Sequence, residues 1–240
     1  MTKKVSRKAL LFLLLFTGCL IEDINLDGYR KVGFVTDSIG ADLNYSSDGR
    51  YPAIFAEMFV AANKTGWAAL PRGRAGATIF PCCWFDHLGS LTTELLDSHP
   101  EVDGVVFQMG INDATKEHPP EVVAQELVAI KNQVENATRY GEKHAQVWMA
   151  LIHYVMPFED HVAENSLIDL YNQLIREQFP GRYLDFPSVI TADDYTDSKH
   201  FTACGQYKLA KLVFETFMAQ PAPLLNAPCN TPVPTPTQTG

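Results

Sequence analysis

The chain alternates short, wholly apolar runs with longer stretches whose apolar positions recur every three or four residues. Val32-Gly33-Phe34-Val35 is a run of the first kind, cut off abruptly by Thr36-Asp37-Ser38-Ile39-Gly40. An apolar run ended by turn residues reads as a buried strand feeding a loop. Residues 102–109 and 146–152 read the same way, with shorter strands at 67–70 and 182–185. The second rhythm predicts helices over 51–64, 88–97, 121–140, 163–179 and 206–218. Ile54, Phe55, Met58, Phe59 and Ala62 mark the inner face of the first. Val123, Leu127, Ile130, Val134 and Ala137 mark the third, and Leu167, Leu170, Tyr171, Leu174 and Ile175 the fourth. Strands alternating with helices imply parallel βαβ units, with helices on both faces of one sheet. At 240 residues and 46% apolar, the chain suits one such α/β domain, assigned to residues 30–220.

The two ends follow other rules. Lys3, Lys4, Arg7 and Lys8 precede an apolar run, 9–16, too short to anchor stably across a bilayer. Leu15-Phe16-Thr17-Gly18-Cys19 resembles a bacterial lipobox, in which cleavage leaves the cysteine as the lipid-bearing N-terminus. Residues 1–18 are therefore expected to be an export signal and 19–29 a linker, placing the protein in the cell envelope or outside the cell. Lipid on Cys19 would be its one link to a membrane. Within that linker, Asp23-Ile24-Asn25-Leu26-Asp27-Gly28 looks like half of a calcium loop. The twelfth position, where a bidentate acid belongs, is Phe34, so an acidic linker is expected instead. Residues 221–240, rich in Pro and Thr, are expected to form an extended tail.

Removal of 1–18 leaves 15 basic and 28 acidic residues, a net charge of −13. Such a surface repels nucleic acid and suits neutral or cationic substrates. Cys82, Cys83, Cys204 and Cys229 permit three disulfide connectivities, among which sequence does not choose. The adjacent pair is geometrically strained, and a Cys204–Cys229 bridge tying the tail to the last helix is preferred. Cys82, Cys83, Asp86 and His87 lack the second ligand arm of a zinc site, so no metal is expected.

Three motifs carry the candidate chemistry: Asp37-Ser38, Gly110-Ile111-Asn112-Asp113 and Asp197-Ser198-Lys199-His200. Asp, Ser and Asn after strands are ordinarily turn or cap residues, because their side chains bond nearby backbone N–H groups. Loops after different parallel strands, however, converge on one sheet edge. Together they hold the parts of acyl transfer. Serine needs a base to take its proton, imidazole titrates near neutrality, and a carboxylate can hold the ring and stabilise its charged form. Donors for a developing oxyanion are offered by the Ser38 N–H, the Asn112 amide and a glycine in the loop Pro71-Arg72-Gly73-Arg74-Ala75-Gly76, with Gly76 preferred over Gly73. His153, at a strand end, is expected to be structural rather than pocket-lining.

In that order and spacing, Ser38, Gly76, Asn112, Asp197 and His200 resemble the four blocks of the SGNH, or GDSL-like, hydrolases. The likeness runs from about Lys31 to Met218. Two departures stand out: the first block reads Thr36-Asp37-Ser38-Ile39, and the second is loose. The resemblance implies a three-layer α/β/α sandwich of flavodoxin-like build around a parallel sheet. It implies Ser38 as nucleophile with His200 and Asp197 as partners, an oxyanion hole from Ser38, Gly76 and Asn112, and no cofactor. An α/β-hydrolase is the nearest competitor. Its Gly-x-Ser-x-Gly elbow does not fall on a first strand, and its acid and histidine come from separate loops. The expected activity is hydrolysis of short-chain carboxylic esters, with an acetylated carbohydrate or a small ester as substrate. A thioesterase or lysophospholipase is the alternative within the family. A non-catalytic surface-binding lipoprotein is the alternative from another class.

Overall fold

A computed structural model describes residues 30–41, 50–64, 66–82, 86–137, 145–225 and 229. The expected export signal, Cys19, the acidic linker, Cys83, Trp84, Phe85 and the tail beyond 229 lie outside the described residues.

Five parallel strands form one sheet: β1 (Arg30–Thr36), β2 (Trp67–Gly73), β3 (Gly104–Gln108), β4 (Gln146–Ala150) and β5 (Tyr183–Leu184). Their order is β2-β1-β3-β4-β5. Helices α1 (Tyr51–Ala61), α2 (Leu88–Ser98), α3 (Ile111–Thr115), α4 (Pro120–Asn136), α5 (Val162–Gln178) and α6 (Ala203–Met218) complete the layers. The expected three-layer α/β/α sandwich is the fold observed.

Alternation along the strands sorts the core into two halves. Val35, Val105, Phe107, Val147 and Met149 pack with α2, α4 and α5 on one face. Phe34, Val106 and Ala150 pack with α1 and α6 on the other, where Phe34, Phe55 and Phe59 meet edge-on. Burying each such ring stabilises by about 2–3 kcal/mol.

Two boundaries and one buried face differ from the sequence reading for clear local reasons. β2 runs on to Gly73, in register with β1 throughout, because as an edge strand it tolerates Pro71. α1 stops at Ala61, where Asn63 takes a left-handed conformation (φ 55°). On α5 the buried stripe is Asn165, Ile168, Tyr171, Asn172 and Ile175, whereas Leu170 is half exposed. Two asparagines, Asn165 and Asn172, share the inward face because they bind backbone, as shown below. The Cys204–Cys229 disulfide is present and ties residue 229 to the first turn of α6.

The order of the strands fixes where a site can form. The chain leaves β1 towards β2 on one side and returns to β3 on the other. The carboxyl ends of β1 and β3 therefore flank a crevice, the place where open α/β sheets bind ligands.

Candidate active site

Ser38 stands on the turn that ends β1, and that turn is locked from below. Asp37 is fully buried, and its N–H donates to the Gln108 carbonyl at the end of β3 (3.2 Å). Its Oδ1 accepts from the Ile39 N–H (2.9 Å) and from Gln108 Nε2 (3.2 Å). For Asp37 the turn-residue reading is thus correct. Its effect is to hold Ser38 at the mouth of the crevice, where Oγ lies 2.9 Å from His200 Nε2.

His200 comes from a short closed loop between Tyr195 and Phe201, which form an antiparallel bridge. The His200 carbonyl accepts from the Thr196 N–H (2.8 Å). Asp197 receives three bonds of 2.8 Å within this loop: Oδ1 from the Lys199 and His200 N–H groups, and Oδ2 from His200 Nδ1. Because Asp197 can only accept, Nδ1 carries a proton; in the neutral ring Nε2 is then bare and accepts from the Ser38 hydroxyl. Partial burial opposes the Asp197 charge, but the His200 and Lys199 N–H groups and the His200 ring outweigh it and pull the carboxyl down to about 2.

Gly76 and Asn112 are neighbours across the crevice. Gly76 occupies a turn with φ 77°, which a side chain would strain. Gly73, its rival, is the last residue of β2, paired with Thr36. Asn112 Nδ2 donates one N–H to the Ala77 carbonyl (2.9 Å), next to Gly76, and retains a second. Among the described residues the Ser38 and Gly76 N–H groups have no acceptor. Gly110, just before Asn112, has φ 122°, and a Cβ there would run into Ile152.

All five expected site residues therefore lie at one edge of the sheet, four of them on loops and Asn112 in the first turn of α3. Ser38, His200 and Asp197 form a continuous hydrogen-bonded line, and Gly76 is held beside Asn112. Asp86 faces Arg74 (3.4 Å), and the His87 N–H bonds Ser90 at the start of α2 (3.1 Å).

No family model matches the sequence, and no curated protein matches it. Solved structures do share its fold. A carbohydrate acetylesterase from Sinorhizobium meliloti superposes with a TM-score of 0.64 at 19% identity, over 79% of this chain and 99% of that one. An inhibitor-bound aryl esterase from M. smegmatis gives 0.64 at 18% identity, again over 79% and 99%. A lipolytic G-D-S-L family protein from Desulfitobacterium hafniense gives 0.57 at 16% identity, over 78% and 99%. At such identities the likeness is one of fold, and the first two of these neighbours are esterases.

Two carboxylates inside the sequence motifs act as supports, through bonds that the motifs do not show. Asp113 is fully buried and accepts the Ile79 and Phe80 N–H groups (2.8 and 3.0 Å), with His118 Nδ1 2.9 Å away. It thereby pins the Gly76-containing loop to α3. Burial raises its carboxyl pKa, against the His118 and backbone bonds, which lower it. Its cue in the sequence is its place beside Asn112, but its two backbone N–H partners are more than thirty residues away.

Burial likewise pushes the Asp37 carboxyl up to about 6, against the Ile39 N–H, the Gln108 amide and the charge of His200, with Asp113 adding to the rise. Between about pH 4 and 6 the folded protein keeps a proton at Asp37 that the unfolded chain has lost. Stability contributed by this group therefore falls as pH rises through that window. An Asp37→Asn variant does not ionise there. Relative to wild type it should gain about 2–3 kcal/mol in unfolding free energy between pH ~4 and pH ~8. Urea denaturation of both proteins at the two pH values checks this; the same difference at each pH would contradict it.

Proposed function

We propose that the protein is a serine hydrolase of carboxylic esters, working through an acyl-enzyme. The observation that carries this reading is the unbroken line from Ser38 Oγ through the His200 ring to Asp197 Oδ2. In the first step Ser38 Oγ attacks the ester carbonyl carbon, and its proton passes to His200 Nε2. Asp197, ionised throughout, stabilises the imidazolium so formed. The negative oxygen of the tetrahedral intermediate is held by the Ser38 and Gly76 N–H groups and the second N–H of Asn112. His200 then protonates the leaving alkoxide. Water, deprotonated by His200, attacks the acyl-serine, and the acid leaves as Ser38 regains its proton. Only side chains and backbone of this chain take part, with no cofactor or metal.

For substrate, we favour a short acyl group, acetyl above all, on a carbohydrate or other small alcohol. An acetylesterase of carbohydrates shares the fold, and the Pro/Thr-rich tail has the composition of linkers in exported enzymes. We place the enzyme outside the cytoplasm, as a secreted protein or a lipoprotein held by Cys19. The Cys204–Cys229 bridge suits an oxidising compartment.

Fluorophosphonate labelling separates an enzyme from a non-catalytic relative. Wild type should label stoichiometrically and Ser38→Ala not at all; equal labelling of the two would end the proposal. Asn112→Ala should fold normally and lower kcat by roughly 10²–10³-fold with little change in KM. Steady-state kinetics on p-nitrophenyl acetate would show this, and unchanged turnover would take Asn112 out of the oxyanion hole. Across p-nitrophenyl esters of graded chain length, kcat/KM should be highest for the shortest acyl groups. A maximum at long chains would favour the lysophospholipase or thioesterase alternative.

A further inference from the structure

The segment that follows β4 belongs to no strand beyond Ala150, and two asparagines of α5 hold it. Asn172 Oδ1 accepts from the Ile152 N–H (2.6 Å), and its Nδ2 donates to the Ile152 carbonyl (2.8 Å). One heptad earlier, Asn165 Oδ1 accepts from the Val155 N–H (2.8 Å), and its Nδ2 donates to the Val155 carbonyl (3.0 Å). Both asparagines are buried. Each side-chain amide thus pairs with both backbone groups of one residue, as a neighbouring strand would. Leaving such groups unpaired would cost about 1–3 kcal/mol each, so this stretch of backbone is rigid.

His153 lies between the two clamps and is 1% exposed. Its Nε2 is 2.9 Å from the Lys199 carbonyl oxygen, which only accepts, so Nε2 carries the ring proton. The ring packs on Phe201, with centroids 4.4 Å apart. One residue pair further on, the Met156 N–H donates to the Ser198 carbonyl (2.8 Å). The Lys199–His200 peptide plane is consequently gripped from both sides. His153 takes its carbonyl, and Asp197 Oδ1 takes its N–H. Burial keeps the His153 ring neutral, pushing its pKa down to about 4; the Lys199 carbonyl bond opposes this, and the charges of His200 and Lys199 add to it.

We propose that His153, clamped by Asn165 and Asn172, is a positioning residue whose Nε2–H sets the peptide plane from which His200 reaches Ser38. It touches no substrate and acts through His200, so the proposal rests on the reading of Ser38, His200 and Asp197 given above. Proton transfer between Ser38 and His200 depends on their separation and angle, and a misplacement of about 1 Å can lower the rate about a hundred-fold.

The test compares His153→Phe, which keeps an aromatic ring without the donor, with His153→Gln, whose amide can place an N–H at the Nε2 position. Thermal melting establishes that each is folded. His153→Phe should slow fluorophosphonate labelling and lower kcat on p-nitrophenyl acetate by about 10–100-fold, with KM within about two-fold. His153→Gln should recover to within about five-fold of wild type. Wild-type rates in a folded His153→Phe, or no recovery in His153→Gln, would overturn the proposal. Should the Phe variant fail to fold, the wild-type protein decides. Its His153 ring should give ¹⁵N shifts of the neutral Nε2–H tautomer from about pH 8 down to about pH 5. The Nδ1–H tautomer or titration in that range would overturn it. Ser38→Ala runs alongside: if it labels like wild type, the serine-hydrolase reading falls, whereas the ¹⁵N result still judges His153 separately.

Discussion

Parallel pairing of β1 with β2 on one side and β3 on the other is the constraint from which the site follows. It sends every strand's carboxyl end to the same edge, and the reversal in strand order after β2, with β3 laid on the other side of β1, opens a crevice at the centre of that edge. One backbone bond marks the junction, the Asp37 N–H to the Gln108 carbonyl. It ties the serine turn to the last residue of β3, two residues before Gly110. The loops after β1, β2 and β3, and the loop before α6, then have a common meeting place. No single loop needs to carry more than one or two of the groups involved.

The three carboxylates near the crevice do different work because their surroundings differ. Asp37 and Asp113 are buried and bind backbone N–H groups of neighbouring loops. Their desolvation outweighs those bonds, so both carboxyls are held above the usual range. Retaining a charge there works against stability, and the gain is a fixed backbone beneath Ser38 and beside Gly76. Asp197 is more than half exposed, its three donors and the His200 charge together outweigh its desolvation, and it stays ionised. Stability is thus given up beneath the site, while the charge that meets the His200 ring is kept where solvation makes it inexpensive.

Much of this was legible in the sequence, because strand endings and short motifs are local signals. Five strands, the parallel sheet, and the placing of Ser38, Asn112, Asp197 and His200 after strands or before the last helix all follow from patterns a few residues long. The supporting layer was not legible. Asp113 to Ile79, His153 to Lys199, and Asn172 to Ile152 are bonds between a side chain and distant backbone, and they impose no period on either partner. On α5 the apolar pattern even misleads. Leu170 fits an amphipathic stripe, yet it lies outside because Asn165 and Asn172 turn the helix to face the segment after β4.

The account stands on one meeting of groups: a hydroxyl, an imidazole and a carboxylate in line, opposite three N–H donors. A crystal structure of the protein inactivated by a small phosphonate tests that meeting directly. The phosphorus should be bonded to Ser38 Oγ, and one phosphoryl oxygen should sit about 2.7–3.1 Å from the N–H groups of Ser38, Gly76 and Asn112 Nδ2. A phosphonate on another residue, or an oxygen turned to solvent with the three donors unengaged, would contradict it.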